Sequence, residues 1–145
     1  MKLALRIAFF ASAALMASAN YEANIATRSM YYAGASYCDK GTLDSWTCGE
    51  PCSSNGGISS IAKIENELLD TFGFVTYNSV DNEIVVSFRG TNGADFLNWM
   101  TNIVYYRVQY DNVIGSQVHS GFYTAYTVVS LQVRNAVKNL LNLHG

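Results

Sequence analysis

The sequence has little charge of either sign and almost no proline. Charged residues make up 14% of its 145 residues, with 9 Lys and Arg against 11 Asp and Glu, and there is 1 Pro. The basic residues occur singly and give no excess of positive charge, so we expect no nucleic-acid binding. Hydrophobic residues make up 50% of the chain. This composition is typical of one globular domain and excludes a disordered or low-complexity chain.

The N-terminus lacks an apolar run long enough for a membrane-spanning helix. Lys2 and Arg6 precede an apolar stretch over residues 7–17, whereas a helix that crosses the bilayer needs about 20 apolar residues. The small residues of Ala17-Ser18-Ala19 fit the cleavage site of a signal peptidase. We therefore predict that residues 1–19 are a secretory signal peptide rather than a membrane anchor, and that the mature chain is secreted.

Histidine is also scarce, and this limits the catalytic chemistry that the chain can carry. His119 and His144 are the only two, and neither is a convincing base for a Ser-His-Asp triad. The nucleophile motif G-x-S-x-G is absent, as are a glycine-rich phosphate loop and the metalloprotease motif H-E-x-x-H. We expect no cofactor and no metal ion.

Three cysteines, Cys38, Cys48 and Cys52, lie close together in the sequence. A secreted chain is expected to oxidise them. Because their number is odd, one thiol is left for an intermolecular bond, for a free cysteine or for a partner outside this chain. A metal site is disfavoured, since the C-x3-C spacing has no histidine nearby.

The amino-acid composition of the first half of the chain changes at the first cysteine. Residues 20–37 have apolar side chains near helical spacing and predict an N-terminal helix. Residues 38–60 are rich in Gly, Ser and Asp and predict a loop held by the cysteines. Residues 61–69 are expected to form a short helix or turn.

Two strands and a long helix are predicted further along the chain. Residues 71–77 and 83–89 are β-branched and aromatic, and the turn between them predicts a hairpin whose second strand is buried on both faces. Residues 103–110 are predicted to be extended, and residues 121–144 to form a long helix with one apolar face. A helix in this position is expected to lead into a further parallel strand, so the pattern is that of the front part of a larger α/β domain.

Three short motifs occur in this sequence. Each one alone is common by chance, but the three together, in this order, are specific. They are Ile84-Val85-Val86-Ser87-Phe88-Arg89-Gly90-Thr91, then Asn98-Trp99-Met100-Thr101-Asn102-Ile103, then His119-Ser120-Gly121-Phe122. Together with Tyr37-Cys38 and the two following cysteines, they resemble the fungal-type class three lipases of the α/β-hydrolase superfamily. The resemblance covers nearly all of residues 24–144. It implies the N-terminal half of an α/β-hydrolase fold, up to the nucleophile elbow, so the catalytic Ser, Asp and His are expected beyond Gly145.

The resemblance also assigns roles to residues of this chain. Thr91 matches the residue that helps to form the oxyanion hole, and the alternative is that Arg89-Gly90-Thr91 only ends a strand. Residues 92–100 match the lid, about two residues longer than is common, and the alternative is a core helix. His119 matches a structural histidine and not the catalytic base. The apolar residues of the lid are Phe96, Leu97, Trp99 and Met100.

The resemblance further implies a disulfide between Cys48 and Cys52, and it leaves Cys38 without a partner in this chain. It implies a secreted hydrolase of carboxylic esters that acts on acylglycerols at a lipid–water interface, with peripheral contact to a membrane or a lipid droplet. The alternative is a secreted, non-catalytic module that binds a lipid surface or a protein. The reading frame downstream of Gly145 distinguishes the two, because the lipase requires a G-H-S-x-G motif there.

Overall fold

The computed structural model describes residues 21–90, 106–111 and 113–145. They form four α-helices, five β-strands and one turn of 3-10 helix. In chain order the elements are α1 (Ala23–Ala35), α2 (Lys40–Asp44), α3 (Glu50–Ser53), β1 (Ile58–Asn66), the 3-10 turn (Glu67–Leu69), β2 (Thr71–Asn78), β3 (Glu83–Phe88), β4 (Arg107–Gln109), β5 (Gln117–His119) and α4 (Ser120–His144).

The main sheet is antiparallel, with the strand order β1-β2-β3. In the predicted hairpin, Gly73 of β2 lies opposite Phe88 of β3, and Asn78 lies opposite Glu83. The Asn78 side chain holds the turn, because its Oδ1 accepts hydrogen bonds from the backbone N–H groups of Val80 (2.8 Å) and Asp81 (3.2 Å). The hairpin prediction is confirmed.

A helical layer covers each face of this sheet. On one face Phe72 and Phe74 pack against α1 and the cysteine region, where Tyr32, Leu43 and Cys52 are buried. On the other face α4 packs over β1 and β2. Its residues Val129, Ala136 and Leu140 join Ile64 and Val75 in a second buried cluster. Because strand side chains alternate between faces, β2 supplies both clusters.

Residues 61–69 are not mainly helical, and that prediction is wrong. Ile58–Asn66 is a nine-residue strand, and only Glu67–Leu69 turns helically. A bulge between Ser59 and Ala62 adds one residue to β1, with Ser60 in a left-handed conformation at φ 57°. In a regular strand, residues three apart lie on opposite faces, but the bulge brings Ile58 and Ile61 to the same cluster. The apolar residues of this strand therefore have the spacing that is typical of a helix.

The prediction for residues 38–60 is correct only in part. The segment contains the short helices α2 and α3, and its last three residues belong to β1. Trp46 orders it further, since its indole Nε1 donates a 2.8 Å hydrogen bond to the Asn55 carbonyl. The N-terminal helix is confirmed as α1 and the long helix as α4.

Of the extended segment predicted over residues 103–110, the structure describes residues 106–110. Within its described portion only Arg107–Gln109 is a strand, and it pairs with Gln117–His119, a strand that the sequence analysis did not predict. The hydroxyl of Tyr123 donates a 2.6 Å hydrogen bond to Asp111 and ties this small sheet to α4.

The strand β3 is less buried than its apolar sequence predicted. Val86 is 42% exposed and Phe88 is 40% exposed, because α4 packs mainly over β1 and β2 and leaves this part of the sheet face uncovered. Of the helices in the described residues, none combines the length and the hydrophobicity that are needed to cross a bilayer.

Candidate functional site

The end of β3 is held in place by Arg89. Its backbone N–H donates a 2.8 Å hydrogen bond to the Phe72 carbonyl, which continues the sheet beyond the strand. Its guanidinium group lies 2.6 Å from the Asp70 carboxylate and 5.5 Å from the centre of the Phe72 ring. The ion pair and the cation–π contact both fix the direction of the chain as it leaves β3.

Gly90 follows, and its lack of a side chain has a physical reason. A Cβ atom built at Gly90 would lie 2.6 Å from the Tyr37 hydroxyl oxygen. A larger residue would therefore displace the Tyr37 side chain, which is 55% exposed, or the backbone at position 90. Gly90 allows the backbone to pass close to the Tyr37 hydroxyl group.

Gly90 lines a cavity of about 480 Å³ that opens between the end of β3, the 3-10 turn and the first turns of α4. Its lining is mainly apolar, and Phe122 is 64% exposed and Leu68 94% exposed. The apolar side chains are those of Leu68, Leu69, Phe88, Phe122, Ala125, Tyr126 and Val129, and the remaining lining residues are Glu67, Asp70, Thr71, Arg89 and Gly90. Such a lining suits an apolar ligand.

A smaller cavity of about 160 Å³ lies beside the ion pairs. Lys40 pairs with Glu65 there, and its ammonium lies 5.7 Å from the centre of the Phe72 ring. The hydrogen bond to the Glu65 carboxylate raises the pKa of Lys40 above its ordinary value. Phe72 thus contacts two cations, Lys40 and Arg89, and each of these is neutralised by its own carboxylate.

His119 lies at the start of α4, as the structural role predicts. Its Nδ1 accepts a 3.2 Å hydrogen bond from the backbone N–H of Gly121, so the imidazole caps the helix. Its ring centre lies 5.3 Å from that of Phe122. Through this cap His119 orients the first turn of α4, which forms one wall of the large cavity.

The three cysteines form a compact cluster between α1 and α3. Their Sγ atoms all lie within 4.8 Å of one another. Cys48 is placed beside both other cysteines, with Cα–Cα distances of 6.0 Å to Cys38 and 5.4 Å to Cys52. A sulfur atom forms only one disulfide, so Cys48 bonds one of the two in any one molecule. Three reduced thiols at these distances could also hold a soft metal ion.

The predicted oxyanion and lid residues lie outside the described residues. They are Thr91, Phe96, Leu97, Trp99 and Met100. The structure does describe Gly90, the residue that precedes Thr91 in the chain, and places it in the wall of the large cavity.

Sequence reasoning missed several residues that line this cavity. The spacing of Phe122, Ala125 and Val129 along one face of α4 indicated that this face is apolar, and Tyr126 adjoins it. No local pattern indicated Leu68 or Leu69, because they belong to a short 3-10 turn between two strands. In the sequence Arg89 is only one residue of a motif, because its pairing with Asp70 depends on the fold.

The second part of the chain matches the model of one protein family. The model of the family Lipase (class 3) matches residues 85–145, which include most of β3 and all of α4. This stretch includes the cavity walls that the end of β3 and the start of α4 form, but not the wall formed by the 3-10 turn. The resemblance to class 3 lipases is therefore confirmed over residues 85–145. No curated protein sequence gave a match to the chain.

Solved lipase structures resemble the chain over most of its length. Lipase II from Rhizopus niveus is 29% identical with a TM-score of 0.70, and the match covers 81% of this chain and 44% of that one. The lipase from Rhizopus microsporus var. chinensis is 28% identical with a TM-score of 0.71, and the match covers 81% of this chain and 41% of that one. The chain therefore spans less than half the length of either lipase.

A more distant likeness supports the same fold. The mono- and diacylglycerol lipase from Aspergillus oryzae is 22% identical with a TM-score of 0.68, and the match covers 86% of this chain and 49% of that one. The expectation of an α/β-hydrolase fold is confirmed for the part of that fold that the chain covers.

Proposed function

We propose that this chain is part of a secreted lipase that hydrolyses the carboxylic ester bonds of acylglycerols. The observation that carries the proposal is that Phe88, Arg89 and Gly90 of the F-R-G-T motif line a mainly apolar cavity of about 480 Å³. An acyl chain is an apolar ligand that suits such a lining, and the match to the class 3 lipase family over residues 85–145 supports the same chemistry.

Thr91 is proposed to supply one half of the oxyanion hole. Its backbone N–H and its hydroxyl would donate hydrogen bonds to the carbonyl oxygen of the ester as that oxygen gains negative charge. The rigid attachment of Arg89 to Phe72 and Asp70 supports this role, because an oxyanion donor stabilises charge best when it is held in place before the reaction begins.

The apolar side chains of Phe96, Leu97, Trp99 and Met100 are proposed to form the lid. Exposing roughly 300 Å² of apolar surface to water costs about 7 kcal/mol at 25 cal/mol per Å². A lipid–water interface that takes up this surface would therefore favour the open state. On this proposal the enzyme hydrolyses emulsified esters faster than dissolved ones, and it contacts lipid surfaces peripherally.

The test uses the product of the complete reading frame and compares Thr91→Val with Thr91→Ser. Loss of one oxyanion donor lowers kcat by about 10² to 10³. Because the backbone N–H survives, we expect Thr91→Val to lower kcat by about 10² or somewhat less with little change in KM. Thr91→Ser retains the hydroxyl and should keep most of the activity. A kcat for Thr91→Val within about twofold of the parent on a short-chain ester would exclude this role.

Secretion has a separate test. The signal-peptide proposal predicts that material recovered outside the cell begins at Asn20, which N-terminal sequencing measures directly. Retention of Met1 in exported material would contradict it. A reading frame without G-H-S-x-G after Gly145 would instead favour the non-catalytic lipid-surface or protein-binding module.

A further inference from the structure

The carboxylate that pairs with Arg89 belongs to the connection between β1 and β2, not to β3 itself. Asp70 ends the 3-10 turn there in a left-handed conformation, at φ 45° and ψ 34°. Among residues other than glycine, Asp and Asn are enriched in this conformation. The Asn66 side chain accepts a 3.1 Å hydrogen bond from the Leu69 N–H, and the Asp70 N–H donates to the Glu67 carbonyl at 3.3 Å. The turn therefore fixes the position of the Asp70 backbone.

The guanidinium group of Arg89 depends on Asp70 for its balance of charge. Its Nη2 lies 2.6 Å from the Asp70 carboxylate, and its buried Nε has no hydrogen-bond partner among the described residues. Lys40, the other cation beside the Phe72 ring, is paired with Glu65. Like charges repel. Without the Asp70 carboxylate, Arg89 would keep Lys40 as a neighbour and lose the ion pair that holds it in place.

We propose that Asp70 is a positioning residue for the oxyanion hole and acts on Thr91 through Arg89. The inference rests on the proposed lipase function. Only Gly90 separates Arg89 from Thr91 in the chain, so a change in the direction of the backbone at Arg89 would displace the donor groups of Thr91. A misplacement of about 1 Å can lower an enzymatic rate by about 10²-fold. Asp70 needs no contact with the ester for this effect.

The alternative is that the ion pair only stabilises the fold. The chain offers a matched ion pair that separates the two roles. Lys63 and Asp44 also lie 2.6 Å apart, and the Asp44 side chain is 48% exposed, compared with 52% for Asp70. Neither Lys63 nor Asp44 lines the large cavity. Partly exposed pairs of this kind contribute little to stability, so the two pairs should differ in their effect on catalysis rather than on folding.

The experiment compares Asp70→Asn with Asp44→Asn in the product of the complete reading frame. Each change replaces a carboxylate by an amide of nearly the same shape, and Asn also tolerates the left-handed conformation at position 70. The measurements are kcat and KM on a dissolved short-chain ester, the urea midpoint by circular dichroism, and hydrogen exchange at the Arg89 amide.

We expect Asp70→Asn to lower kcat by about tenfold with little change in KM, because the oxyanion donor is displaced but not removed. Asp44→Asn should stay within about twofold of the parent. Both variants should shift the urea midpoint by similar, small amounts. The Arg89 amide, which donates to the Phe72 carbonyl at 2.8 Å, should exchange faster only in Asp70→Asn.

A double variant tests whether Asp70 acts through Arg89. Arg89→Gln removes the guanidinium group, so adding Asp70→Asn to it should leave kcat as it is in Arg89→Gln alone. Residues that act through one contact show such non-additive effects. Additive losses of kcat would show that Asp70 acts by another route, and they would overturn the positioning role.

The other outcomes separate this inference from the lipase proposal. A kcat for Asp70→Asn within about twofold of the parent, or an equal loss of kcat in Asp44→Asn, would overturn the inference and leave the lipase proposal intact. An unchanged exchange rate at the Arg89 amide would do the same. A parent that does not hydrolyse the ester would overturn the lipase proposal, and this inference with it.

Discussion

The side-chain amide of Gln132 on α4 forms two hydrogen bonds with the backbone of Glu65 on β1. Its Oε1 accepts from the Glu65 N–H at 3.1 Å, and its Nε2 donates to the Glu65 carbonyl at 3.0 Å. The amide thus takes the place of a neighbouring strand at the outer edge of β1. Free strand edges invite association with other chains, so Gln132 covers one residue of this edge and also fastens α4 to the sheet.

Gln132→Ala should remove both hydrogen bonds. Because they are accessible to solvent, we expect the free energy of unfolding to fall by only about 1 kcal/mol. The sharper measurement is hydrogen exchange at the Glu65 amide, which should become faster. Asn135→Ala, on an exposed part of the same helix, is the control. Equal protection of the Glu65 amide in the parent and in Gln132→Ala would show that the side chain contributes nothing at this edge.

Gly73→Ala should destabilise the hairpin of β2 and β3. A Cβ atom at Gly73 would lie 2.5 Å from the Ser87 carbonyl oxygen and 2.8 Å from the Phe88 ring, so β3 would have to move. Overpacking of this kind costs about 1–3 kcal/mol, which urea denaturation measures.

Gly41→Ala is the matched control for this change. A Cβ atom at Gly41 meets nothing within 4 Å, and Gly41 lies in α2, so alanine should be neutral or stabilise by up to about 1 kcal/mol. If both alanine variants had the same free energy of unfolding, the close contact at Gly73 would not affect stability.

Tyr32→Phe should weaken the packing of α1 on the β2–β3 turn. The Tyr32 hydroxyl accepts a buried 2.7 Å hydrogen bond from the Asn78 side chain, and its loss should cost about 1 kcal/mol. Tyr31→Phe is the neighbouring control, because the Tyr31 hydroxyl donates only to the exposed Glu50 carboxylate. A larger loss for Tyr31→Phe would contradict the importance of the buried contact.

Tyr32→Phe should also change how the free energy of unfolding depends on pH in the alkaline range. Burial raises the pKa of Tyr32 above 10.0, although the hydrogen bond from Asn78 acts in the opposite direction. As the pH rises through about 10, the unfolded chain loses this proton first, so the folded state loses stability. Tyr32→Phe should reduce this loss, which chemical denaturation on either side of pH 10 measures. An unchanged pH profile would contradict the assignment.

The sequence by itself determined the elements whose signals are local. The β-branched strands on either side of a polar turn produced the hairpin of β2 and β3, and the apolar face of residues 121–144 produced α4. The motifs around Arg89-Gly90-Thr91 and His119 indicated the resemblance to class 3 lipases without any coordinates. In each case residues close together in the sequence determine the outcome, because strand alternation and helix periodicity are local properties.

Only the tertiary structure decided the features that depend on distant residues. The bulge of β1 could not be predicted, because its three isoleucines have the spacing of a helix and their arrangement depends on pairing with β2. The large cavity likewise exists only because the 3-10 turn, the end of β3 and the start of α4 meet in space. Side chains from separate segments come together through packing, and no spacing within one segment encodes that contact.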